Sequence, residues 1–369
     1  MRLFFTRRNF LTTGVGALVT AAELRAQSEA IPVAGVPVKE YKPRSTVALA
    51  AGEDRRKTVY QALLAIDDQI LPKLKTKKRV LIKPNDVNPS NQLACTHADA
   101  LRGILDYLAP RFKGQVTIGE VLGGGFRAFQ GLQYPDVIKE YNNRFRGIEL
   151  VDFTEQNKFV TQPLLDQDAH VVPVHLAEAF FDPDAFIMGS AMLKSHNYAV
   201  VTMSIKNMVL GAPARTEKAY YHAGFHLIHY NMLVTAQAMQ PFWGATVIDG
   251  HEGMEGNGPS QGIPVASRLA IASTDFVAAD RVGVECMGVD PKWVGYLRYC
   301  GQVGLGNYDL AKIDIRSPEI ASVQKKYQLA SDVDRQLAWM TPLDVEDGSW
   351  IGPKGRRTDR RPPAPPPAI

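Results

Sequence analysis

The chain has 369 residues, 45% hydrophobic and 22% charged, with a formal net charge of +4. That balance belongs to a globular protein; collagen-like, low-complexity and multi-pass membrane chains are excluded, since no run offers the roughly 18 consecutive apolar residues of a spanning helix. The positive excess sits at the ends, with Arg2, Arg7, Arg8 and Arg25 against Glu23, and Lys354, Arg356, Arg357, Arg360 and Arg361 against Asp359. The body between them is slightly acidic, which argues against a nucleic-acid partner.

Residues 6–13, TRRNFLTT, precede the short apolar stretch GVGALVTAA. A basic start, a brief apolar run and small residues make a signal peptide over 1–26, and the adjacent Arg7 and Arg8 give it a twin-arginine character. The expectation is export through the twin-arginine translocon to a periplasmic or extracytoplasmic location, with no stable membrane span in the mature form. Cleavage falls after Ala26 or after Ala22.

A Pro-containing tether follows over 27–45, and an α/β domain is expected over 46–316. Its strands are VALAAG (47–52), RVLIK (79–83), QVTIGEV (115–121), IELVDF (148–153), AFIMG (185–189), ATVID (245–249), RLAIA (268–272) and KIDIR (312–316). Between them, Val59, Ala62, Leu63, Ile66 and Ile70 mark one amphipathic helix and Ala98, Leu101, Ile104, Leu105 and Leu108 another. Strands alternating with helices predict a doubly wound, mostly parallel sheet with helices on both faces. A C-terminal extension occupies 317–350 and a basic, Pro-rich, disordered tail 351–369.

In such sheets, ligands bind beyond the carboxyl ends of the strands. Lys83 and Asn85 follow the second predicted strand, with Pro84 keeping Lys83 extended. Gly123–Gly125 follow the third, as an anion nest or a flexible turn. Lys194, Ser195 and His196 come after the strand at 185–189. Lys206 and Asn207 lie amid apolar residues, and a buried lysine requires an anion or a carboxylate partner. His222, His226 and His229 are spaced for one helix face, although Gly224 interrupts them.

DGHEGMEGNGPSQG (249–262) is read as a loop of acids, an imidazole and glycines suited to a ligand. It supplies His251, Glu252 and Glu255 as acid–base groups, Asn257 as a ligand contact, and Asp249, His251 and Glu252 as candidate metal ligands. Asp280 is expected to reach Lys206 or Lys83, and either Thr274 or Asp275 to cap its helix. Hydrolysis by Ser195 or Ser204 has no G-x-S-x-G elbow behind it. Cys95, Cys286 and Cys300 are too few for a four-cysteine iron–sulfur cluster, while a Cys286–Cys300 disulfide and buried free thiols both remain open.

IKPN (82–85), VTMSIKNMVLG (201–211), GMEGNGPSQG (253–262), ASTDFVAADRVGVECMGVDP (272–291) and VGLG (303–306) resemble, in order, the DUF362 family. KAYYH (218–222) resembles a family stretch ending at His222. The resemblance implies that Lys83, Asn85, Lys206, Asn207, Glu255, Asn257 and Asp280 form a shared constellation, and it assigns no reaction. Many family members carry a ferredoxin-type domain, which this chain lacks, so any iron–sulfur role would need an external partner. The combined expectation is one site. There, Lys83, Lys194 and Lys206 attract a small anionic ligand, and Asn85, His196, Asn207, His222 and Asn257 orient it. His251, Glu252, Glu255 and Asp280 supply catalytic groups, with a metal or other cofactor possible but unidentified. The alternative is a non-catalytic ligand-binding or redox-accessory module.

Overall fold

The computed structural model describes residues 44–340 apart from 123–125 and 223, and two short strands at Trp350–Ile351 and Arg357–Thr358. The expected signal peptide, the tether up to residue 43, most of the tail and the Gly123–Gly125 nest lie outside the described residues.

In chain order the main elements are β1 (Ser45–Ala51), α1 (Arg55–Leu64), α2 (Asp67–Leu74), β2 (Arg79–Lys83), α3 (Ala98–Leu108) and β3 (Gln115–Glu120). Then come α4 (Phe126–Gly131), α5 (Tyr134–Tyr141), β4 (Gly147–Asp152), α6 (Phe153–Gln156), β5 (Phe159–Leu165), β6 (Val171–Ala177), β7 (Ala185–His196) and β8 (Val200–Thr202). After these follow α7 (Ser204–Gly211), α8 (Phe225–Met239), β9 (Trp243–Asn257), β10 (Gln261–Val265), β11 (Leu269–Ser273), α9 (Phe276–Cys286), α10 (Gly295–Gln302) and β12 (Ile313–Arg316).

The large sheet runs β12-β1-β11-β9-β7-β2-β3-β4. Neighbours along it are parallel, except that β11 opposes both β9 and β1. Alternation of side chains sorts each strand between two layers. Val80 and Ile82 join Val59, Leu63, Leu101, Ile104 and Leu105 beneath α1 and α3. Leu81 joins Ile187, Leu193, Ile205, Ile228 and Val277 beneath α7, α8 and α9. The chain thus has an α/β fold with helices covering both faces. β7 is buried along its whole length, as a parallel strand packed on both sides must be.

The winding places the site. From β2 the chain moves outward to β3 and β4. It then returns, lays β7 on the opposite side of β2 and continues to β9. That reversal opens a crevice beyond the carboxyl ends of β2 and β7, the position where doubly wound sheets bind ligands.

Two expectations are corrected here, and the cysteine alternative left open resolves to free thiols. The stretch 249–262 is not a loop: β9 runs through it to Asn257 and turns back into β10 at a cis Gly258–Pro259 bond. Gly250 and Gly253 serve close packing, since a Cβ on Gly253 would strike the Tyr327 hydroxyl and one on Gly250 would press on Leu269 and Leu193. His222, His226 and His229 do not share a helix. Residues 215–222 form a tight helical turn, Gly224 breaks it at φ +113°, and α8 starts only at Phe225. Cys286 and Cys300 are separate, buried free thiols, as is Cys95.

Candidate functional site

Lys83, the last residue of β2, is completely buried and donates to Glu120 Oε2 at 2.6 Å, Asn207 Oδ1 at 3.0 Å and the Pro84 carbonyl at 3.0 Å. Burial of this ammonium is tolerable because a carboxylate and two neutral acceptors surround it. Helix α7 passes close enough for this contact because it ends in Gly211, where any Cβ would collide with Lys83 Cε and Nζ. Asn85 Nδ2 donates to the same Asn207 oxygen at 3.1 Å, and the Asn85 backbone N–H donates to Thr96 Oγ1 at 2.8 Å. Asn207 Nδ2 in turn reaches the Ser190 carbonyl at 3.4 Å. Strands β2, β3 and β7 and helix α7 are thereby tied at one corner.

Beside this frame lies a cavity of about 310 Å³ whose wall includes Lys83, Asn85, Asp86, Glu120, His196, Lys206, Asn207, Lys218 and His222. Lys206 is 7% exposed, and among the described residues nothing hydrogen-bonds to or pairs with its ammonium. Burial, with Lys194 and Lys218 adding like charge, lowers it to about 7. Lys218 donates to the Val121 carbonyl at 2.9 Å, and burial lowers it too.

The two imidazoles present opposite edges. His196 Nδ1 accepts from the Tyr198 N–H at 2.9 Å, so the neutral ring carries its proton on Nε2. Burial and then Lys206 hold it well below the usual range. His222 Nδ1 lies 3.1 Å from the Lys218 carbonyl, which only accepts, so the His222 proton sits on Nδ1 and Nε2 keeps a lone pair. Desolvation and then Lys206 push His222 down to about 4, although the residue keeps one exposed edge. Tyr198 links both rings, since its hydroxyl also donates to the His222 carbonyl at 2.9 Å. Asp86 Oδ1 accepts from the Tyr134 hydroxyl at 2.8 Å while Oδ2 is sealed without a partner; desolvation and then Glu120 raise it to about 7.

The structure therefore gathers Lys83, Asn85, His196, Lys206, Asn207 and His222 and places the other expected residues elsewhere. Lys194 is not on the cavity wall; its ammonium donates to the Ala94 carbonyl at 2.9 Å and the Pro259 carbonyl at 3.5 Å, within electrostatic range of Lys206. Glu255 and Asn257 tie down the C-terminal segment, accepting from the Gln328 N–H at 2.8 Å and the Ser331 N–H at 3.0 Å. Asp280 reaches neither Lys206 nor Lys83, because its carboxylate accepts from the Ser204 and Ile205 N–H groups at 2.8 and 3.0 Å. It caps α7, and desolvation raises it to about 7. Thus it positions the helix that carries Lys206. Asp275 caps α9.

Asp249, His251 and Glu252 do not assemble around a metal position, since guanidinium groups fill that role. Arg55 lies 3.1 Å from Asp249 and 3.6 Å from Glu252, and Arg268 Nη1 donates to His251 Nε2 at 2.5 Å. Among the described residues, potential ligand atoms converge only at Asp166, Asp168 and His170 on the β5–β6 turn. There Asp166 Oδ1 already accepts the Asp168 and His170 N–H groups. Four charged wall residues lie outside the expected site: Glu120, Asp86, Lys218 and Arg215. Glu120 had a readable signal, an acid at a strand end before glycines. Lys218 and Arg215 lie on a turn that no periodicity announces.

Residues 80–285 match the family model described as "Domain of unknown function (DUF362)", more than half of the chain. A thylakoid-associated protein of Synechocystis sp. is 32% identical over 136 residues, which is 36% of this chain and 41% of that protein. The chain thus matches less than half the length of that relative. Among solved structures, one of a protein from Thermotoga maritima has a TM-score of 0.43 at 10% identity, covering 69% of this chain and 59% of that one.

Proposed function

The chain belongs to the DUF362 family, and on that premise we propose that it binds a small organic anion in the crevice beyond β2 and β7. The observation that carries this reading is Lys206, a lysine almost wholly buried, whose ammonium has no protein partner among the described residues and lies on the cavity wall. A buried cation calls for a counter-charge. Lys218 adds a second positive group, whereas Lys83 is already matched by Glu120. Val87, Val121, Leu122 and Leu210 supply an apolar wall, so the ligand has a charged head and a small apolar body.

The titration of Lys206 sets the pH dependence. Facing it are His196 and Lys194 on β7, Lys218 and His222 on the turn before α8, and the Lys83–Glu120 pair with Asp86. An anion favours the ammonium, so binding takes up a proton once the free side chain has lost it. Affinity should fall as pH rises above about 7, approaching about tenfold per pH unit. Calorimetric titration with inorganic phosphate, acetate and benzoate at pH 6.5 and 8.5 tests this. Lys206→Met should abolish binding with the fold intact; a Lys206→Met protein that binds like wild type overturns the reading.

The paired Arg7 and Arg8 and the thylakoid association in the relative's name support an extracytoplasmic setting. No helix among the described residues is long and apolar enough to cross a membrane. A fusion of residues 1–26 to a reporter exported only when folded tests it, with Arg7→Lys/Arg8→Lys expected to block export.

A further inference from the structure

We propose that Lys206 is a covalent catalytic residue, whose amine condenses with the ketone of a 2-oxo acid to form a protonated imine. The inference rests on the anion-binding reading and names its substrate class. A surface ammonium is a poor nucleophile because it is protonated; an amine desolvated among other cations is not. Lys206 meets that condition by geometry, being only 7% exposed, unpaired among the described residues and on the wall of the cavity. Burial and its cationic neighbours lower the ammonium to about 7, so a large share is free amine at neutral pH.

The surrounding groups suit each part of the substrate. Lys218 offers the carboxylate a cation. His196, with its proton fixed on Nε2 by the Tyr198 N–H, can donate to the ketone oxygen as negative charge develops there. His222 holds an Nε2 lone pair because its Nδ1–H is committed to the Lys218 carbonyl. Leu122 and Leu210 face the apolar substituent.

The step balances without an oxidant or reductant. The Nζ lone pair bonds to the carbonyl carbon and the C=O π pair moves to oxygen. His222 takes a proton from the attacking nitrogen and returns it to that oxygen. A second proton from solvent lets the oxygen leave as water while the nitrogen lone pair closes C=N. Taken from the ammonium, the net change is ammonium plus ketone to iminium plus water. The iminium keeps the positive charge beside the substrate carboxylate.

Full-length protein is incubated with pyruvate or phenylpyruvate and sodium cyanoborohydride, and adducts are mapped by peptide mass spectrometry. Phosphate binding is titrated on the same preparation. The expected result is an adduct at Lys206 roughly a hundredfold above exposed lysines, whose ordinary value near 10.4 leaves little free amine. Its rate should rise from pH 6 to pH 8, opposite in sign to simple anion binding, and phosphate should protect it. Phosphate binding without preferential labelling of Lys206 overturns the imine and spares the anion site. Labelling of Lys206 without phosphate binding supports the imine and overturns phosphate as a ligand. Absence of both overturns both.

Discussion

Lys83 and Glu120 illustrate how costly a charge is once the sheet closes over it. Both are sealed from solvent and 2.6 Å apart. Removing one partner strands the other, so Lys83→Met should lower unfolding stability by about 3–5 kcal/mol. Lys83→Met/Glu120→Leu should recover most of that loss in the same urea titration. Asp86 behaves differently. Desolvation raises its carboxyl to about 7 in the folded protein, and the unfolded chain returns it to the ordinary range near 3.8. Between these values the folded state keeps a proton that the unfolded state releases, so this group removes stability as pH rises. Asp86→Asn retains an oxygen for Tyr134 and loses the charge. The residue is partly open although its Oδ2 is sealed, so the expected gain at pH 8 is about 1–3 kcal/mol, with almost none at pH 4.

Among the elements, the β7–β8 turn carries the clearest strain. Val200 sits at φ +66°, a region that disfavours a β-branched residue, and the Val201 N–H donates across it to the Ala199 carbonyl at 2.7 Å. The buried Gln336 side chain accepts from the Val200 N–H at 2.7 Å. Val200→Gly should therefore relieve strain at some cost in packing, whereas Gln336→Ala leaves a buried N–H unpaired and should cost about 1–3 kcal/mol. Paired urea denaturation of the two variants, with Gln336→Ala markedly the less stable, checks the sign.

The same elements show what the sequence made legible. Strand β2 is readable from the apolar run Val80–Ile82 and a following Pro, and Lys206 stands out as a cation in an apolar run. Strand β9 was misread past Asp249 because glycine marks loops statistically, whereas here Leu193, Leu269 and Tyr327 occupy the space a side chain would need. No local pattern could reveal that Arg55 and Arg268, distant in sequence, would claim Asp249, Glu252 and His251.

At the scale of the whole molecule, the segment after β12 is bound into the structure. Tyr327, Leu337 and Trp339 are buried, and the Lys325 and Tyr327 N–H groups donate to the Cys286 and Met287 carbonyls at 2.9 Å each. A chain ending at residue 316 should unfold at lower urea or fail to fold, as circular dichroism would show. The sheet order carries one more consequence. β1 lies between β11 and β12, its partners more than 200 residues downstream. Such distant pairing makes closure of the sheet slow and leaves an unpaired strand edge until residues 269–316 have been synthesised. The N-terminal half of the fold consequently depends on β11 and β12 to become a native structure, and any chaperone that shields β1 must do so across the synthesis of more than 200 further residues.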